Sequence, residues 1–160
     1  MKAASKIKGN LADEWIPRIY ESKIRVQRTR AYSLDILPRI NLATIQHTLL
    51  GIELKVGNRR FACPDLSTAR YLQVFAWIGC QDFAIPYDIT RISNIADELE
   101  SSWHKTLLFA EEESKGSSNS VKGRVKSATV KLIRSELEKI GSGAAIPEFK
   151  KTTKQEKYRS

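Results

Sequence analysis

The chain has 160 residues, 41% hydrophobic and 28% charged. This is an ordinary globular balance, enough for one domain with a real core, and it excludes a fibrous or low-complexity chain. No apolar run approaches the ~20 residues needed to cross a bilayer. The Lys-bearing start, MKAASKIKGNLADEW, has no apolar stretch behind it of the kind a secretory signal requires.

Net charge is +9, and its distribution matters more than its sum. Residues 1–40 hold nine Lys/Arg against four Asp/Glu, residues 41–114 six against ten, and residues 115–160 twelve against four. Basic ends around a mildly acidic middle point to a polyanionic partner, nucleic acid first and a membrane surface second. The plainer alternative is that Lys-rich ends serve solubility. Cys63 and Cys80 make no metal spacing and sit in apolar context. They read as small buried hydrophobes in a reducing cytoplasm, with a single disulfide left open.

Residues 1–10 read as a disordered basic start. Asp13 is placed to cap a helix with Pro17 in its first turn, and Ile16, Tyr20 and Ile24 share one face. KIRVQRTRAY, residues 23–32, is compatible with a strand or with a continued basic helix. It carries Arg25, Arg28 and Arg30 between Tyr20 and Tyr32. Basic side chains beside aromatics suit phosphate contact combined with base stacking. Residues 33–37 read as a short strand. Asn41 then caps a helix over LATIQHTLL that Gly51 stops, with Leu42, Ile45, Leu49 and Leu50 as its stripe.

Ile52, Leu54 and Val56 alternate with Glu53 and Lys55, which predicts a half-buried strand. Gly57-Asn58 turns it into a second strand opening with Arg59 and Arg60 and ended by Pro64. Asp65 or Ser67 caps the next helix, apolar nearly all round and closed by Gly79. Phe83 to Ile85 is a third short strand. Asp88 caps the longest helix, about Ile89 to Glu113, with Ile92, Ile95, Ala96, Leu99, Trp103 and Leu107 at helical spacing. Residues 115–120 form a flexible joint and residues 121–140 a basic helix, with Val121, Val125, Leu132 and Leu137 on its apolar side. Residues 141–160 read as a disordered basic tail. His47 and His104 are isolated and carry no role.

The fold expected is therefore α+β: a small mixed β-sheet, hairpin plus short strands, packed by helices within residues 11–114. A basic C-terminal helix and tail are appended to it.

Familiar catalytic signatures are absent: no Gly-rich phosphate loop, no Cys or His cluster and no serine-nucleophile motif. One pattern carries metal chemistry. Asp35 lies in SLDIL, and Glu53 and Lys55 form Glu-x-Lys in IELKV. With a helix, strand and helix following, this resembles the core of restriction-endonuclease-like nucleases. That resemblance implies two carboxylates on Mg²⁺, a lysine activating water, and an extra acid from Glu14 or Glu21. Glu-x-Lys occurs four times in the chain, only once in an alternating strand, and the helix between Asp35 and Glu53 departs from the family pattern.

The favoured function is non-catalytic nucleic-acid binding, DNA or RNA, with low sequence specificity and no cofactor. Phosphate contacts fall to Arg25, Arg28, Arg30, Arg59, Arg60, Lys122, Arg124, Lys126, Lys131, Lys150, Lys151 and Lys154. The alternatives are the Mg²⁺ nuclease on Asp35, Glu53 and Lys55, and an interaction module pairing with a partner or with itself through the 121–140 helix.

Overall fold

The structure, a computed structural model, describes residues 2–143. Its centre is α3 (Leu66–Ile78). The Asp65 carboxylate accepts from Thr68 N at 2.7 Å and so occupies an orphan donor at the helix start. Gly79 ends the helix in the left-handed region at φ 83°. Its N–H donates to Ala76 O at 3.1 Å while Cys80 N–H donates to Phe75 O at 3.0 Å, a Schellman stop. A Cβ at position 79 would also collide with the backbone of Arg39. Tyr71, Leu72, Val74, Phe75, Ala76 and Ile78 are all buried, so α3 is central, as its all-round apolarity predicts. Phe75 stacks on Phe83 at 4.2 Å, and Tyr71 donates to Ala84 O at 2.5 Å.

The α+β class is the one expected. The strands, however, form two antiparallel sheets rather than one mixed sheet. β1 (Thr29–Ser33) pairs with β5 (Asp82–Pro86). β2 (Ala43–Thr48), β3 (Gly51–Val56) and β4 (Arg59–Cys63) form a meander in that order. The Gly57-Asn58 turn and the alternation of β3, with Leu54 and Val56 buried, are as read.

Residues 42–50 are not a helix. They hold β2 and a two-residue turn at Leu49-Leu50. The stripe proposed for a helix is not buried, since Leu42, Leu49 and Leu50 are all exposed. Pairing with β3 wins, and the β-branched Thr44, Ile45 and Thr48 favour it. The strand expected at 33–37 lies earlier, at 29–33. Leu34 and Ile36 still enter the core from the turn that follows, where Ile36 N–H donates to Leu34 O at 2.8 Å.

Residues 1–10, expected to be disordered, instead carry α1 (Lys2–Leu11). Ala4, Ile7 and Leu11 are buried at i, i+3 and i+7. Ten residues are too few for a stable isolated helix, so its stability comes from docking on neighbouring helices, which a local pattern does not reveal. α2 (Ile16–Ile19) starts at Trp15 with Pro17 in its first turn and runs into a π turn over Tyr20–Ile24. Asp13 caps nothing and belongs to a short 3₁₀ turn.

α4 (Ile89–Glu113) is capped by Asp88, whose carboxylate accepts from Thr90 N at 3.0 Å. Its outer acids are paired rather than merely solvated: Arg70 holds Asp97 at 2.5 Å and Glu100 at 3.0 Å, and Lys23 holds Glu98 at 2.5 Å. α5 (Asn119–Ile140) is capped by Ser118. It is an integral layer of the core, with Val125, Val130, Ile133 and Leu137 buried. Arg134 also donates to Ile78 O at 2.7 Å, meeting an open carbonyl at the end of α3. The apolar stripe that suggested self-pairing is thus largely spent inside the chain.

Candidate nucleic-acid interface

The β1 side of the β1–β5 ribbon carries an exposed basic and aromatic strip, while Phe83, Ala84 and Ile85 of β5 are buried in the core. Alternation along β1 puts Arg30 and Tyr32 on the same side, and Arg28 continues that side just before the strand. The register sets Arg30 opposite Ile85 and Tyr32 opposite Phe83. Tyr87 N donates to Arg28 O at 3.2 Å, which extends the ladder by one pair and puts Arg28 across from Tyr87. The Arg28 guanidinium then lies over the Tyr87 ring, 5.0 Å from its centroid. Arg30 lies over Tyr32 at 5.7 Å. Both are cation–π distances.

The two tyrosines differ. Tyr32 is half-buried on Phe83, with ring centroids 5.7 Å apart, and burial raises its phenol pKa. Tyr87 is 50% exposed and has a ring available to solvent. The sequence drew attention to Tyr20 and Tyr32 as the aromatics beside the arginines, and Tyr20 is not one of them in space. It is fully buried, donates to Gly141 O at 2.9 Å and accepts from Ala84 N at 2.8 Å. Tyr87 was missed. Only the register of β1 on β5 brings it to Arg28, and no local signal announced that pairing.

Arg25 instead reaches Thr29, whose buried side chain alternates to the side away from Arg28 and Arg30. Its Nη1 donates to Thr29 Oγ1 at 3.3 Å, and its Nη2 lies 3.5 Å from where a Cβ on Gly143 would stand. Among the described residues no carboxylate pairs with Arg25, Arg28 or Arg30. The chain leaves the described region beside Arg25, so Lys150, Lys151 and Lys154 lie outside the described residues.

The other predicted contacts are elsewhere. Arg59 is ion-paired to Asp35, and Arg60 to Glu53 at 2.7 Å. The tip of the β3–β4 hairpin is therefore close to neutral. Lys122 and Lys126 line a groove with Leu107 and Glu111 at the start of α5. Arg124 and Lys131, seven residues apart, share the outer face of the same helix. α5 has 22 residues, about 33 Å of helix, so its first turn lies far from Arg25 at its other end.

Glu53 and Lys55 share the outer face of β3, as alternation requires, opposite Ala62 and Arg60. Asp35 does not join them. Its partner Arg59 is opposite Val56, on the other face of the sheet, and no three His, Cys, Asp or Glu side chains cluster as metal ligands among the described residues. The nuclease resemblance needs both carboxylates free to converge on Mg²⁺. With each engaged by a guanidinium on opposite faces, the residues do not fit that ion.

Compared with protein-family models, curated proteins and solved structures, the chain matches none. Among the described residues no helix is long and apolar enough to cross a membrane.

Proposed function

We propose that this chain is a non-catalytic nucleic-acid-binding protein whose principal contact surface is the exposed β1 edge of the β1–β5 ribbon together with Tyr87. The observation that carries the reading is the Arg28–Tyr87 pair. It places an exposed guanidinium with no carboxylate partner among the described residues on an accessible aromatic ring. Arg30 adds charge for phosphate oxygens beside it. The basic sequence of residues 144–160, which follows on from the Arg25 end, would add contacts that do not depend on base identity.

A titration with labelled single- and double-stranded DNA and RNA tests this, run at low and moderate salt with Mg²⁺ present and strand integrity checked. The expected result is binding that leaves strands intact and weakens with salt by a log–log slope of about −0.7 to −0.9 per phosphate contact. Absence of binding at low salt overturns the reading. Cleavage abolished by Glu53→Ala would replace it with the nuclease.

A further inference from the structure

The ribbon face also bears on which form of nucleic acid it takes. Tyr87 is half exposed, with the Arg28 guanidinium over its ring at 5.0 Å. Salt-bridged surfaces elsewhere on the molecule do not share this character: Arg59 and Arg60 sit with Asp35 and Glu53, without an aromatic partner.

We infer that the occupant of this face is a single strand, with an unstacked base laid against Tyr87 while Arg28 and Arg30 hold its phosphates. This rests on the nucleic-acid reading above and narrows it. In a duplex the flat faces of the bases are covered by their neighbours, and a protein meets only phosphates and groove edges. In a single strand each base has a free π-face, and stacking on an aromatic ring tolerates any sequence. Arg28 polarises the same ring and neutralises a phosphate nearby, so the pair serves both halves of a nucleotide. The arginines alone would not distinguish the two forms, whereas Tyr87 does.

The test uses the full chain and oligonucleotides of about 16 nucleotides, single-stranded and as the matching duplex, followed by fluorescence anisotropy at low salt. The single strand is expected to bind about 10-fold more tightly than the duplex, and Tyr87→Ala to weaken the single strand about 10-fold while moving the duplex by less than about 2-fold. Tyr87→Phe keeps the ring and should restore most of the loss. Far-UV circular dichroism of the variants checks that the ribbon still folds. Equal binding of both forms, or an equal loss for both in Tyr87→Ala, overturns the single-strand assignment and leaves electrostatic binding standing. No binding of either form removes the parent reading with it.

Discussion

The indole N–H of Trp15 donates to Oε1 of Glu136 at 2.8 Å, while Lys8 Nζ holds Oε2 of the same carboxylate at 2.7 Å. One side chain of α5 thus joins α1 and the turn into α2. Trp15 is fully buried, so its donor has little access to water. Glu136→Ala should cost about 1–3 kcal/mol, because a buried N–H is left without an acceptor. Glu136→Gln keeps an acceptor oxygen and should lose less than half of that. Urea unfolding followed by fluorescence measures both, and equal losses would refute the role of the indole bond.

The docking of α1 is open to a direct check. Ile7 is fully buried among the helices, whereas Lys6 makes only an ion pair to Glu113 at 3.2 Å with its own side chain largely exposed. Ile7→Ala should destabilise the fold by about 2–5 kcal/mol. Lys6→Ala should cost about 0–1 kcal/mol, as exposed pairs do. If the two variants unfold at the same urea concentration, α1 does not belong to the cooperative core.

Both cysteines should be inert in the folded protein. Burial pushes the Cys80 thiol up to about 12 and also raises that of Cys63. Only the thiolate reacts, so iodoacetamide at pH 8 should label neither residue until the chain is unfolded in urea. A raised folded pKa also sets the direction of pH dependence. Below the ordinary thiol value of 9.0 both states are protonated and the contribution to stability is complete. Above it the unfolded chain gives up its proton first, so stability falls as pH rises towards about 12. Mass spectrometry showing native alkylation at pH 8 would contradict the buried placement.

The arginines should rank by their partners. Arg28→Ala and Arg30→Ala should each reduce the salt slope of nucleic-acid binding by about 1, the mark of a lost phosphate contact. Arg59→Ala and Arg60→Ala should change it less, because Asp35 and Glu53 already neutralise those charges. Log–log salt plots of the four variants decide the matter. The reverse order would move the interface to the tip of the β3–β4 hairpin.

Much of the candidate site was half legible. The basic cluster at Arg25, Arg28 and Arg30 is visible in the sequence, and so is its nearness to aromatics. Which aromatic serves it is not. Tyr20 and Tyr32 are neighbours along the chain, yet Tyr20 is turned into the core to bond Gly141 and Ala84. Tyr87 reaches Arg28 through antiparallel pairing between strands distant in sequence. The separation of α5's first turn from the ribbon was equally hidden, because it depends on how the last helix is laid across α1 and α4.

What the sequence determined by itself were the elements whose signals lie within a few residues of one another. Asp88 satisfies a helix donor two positions on, Gly79 adopts a backbone that side chains resist, and Gly57-Asn58 turns one strand into the next. What the tertiary structure alone decided were segments whose local preferences were balanced. Residues 42–50 are spaced for a helix and become β2 because β3 offers them a full ladder. Residues 2–11 carry only four apolar side chains and become α1 because α4 and α5 supply a surface to bury them. Capping and turn chemistry act over one or two turns of backbone, whereas strand register and helix docking are settled by contacts between distant parts of the chain, and those contacts chose the partner of Arg28.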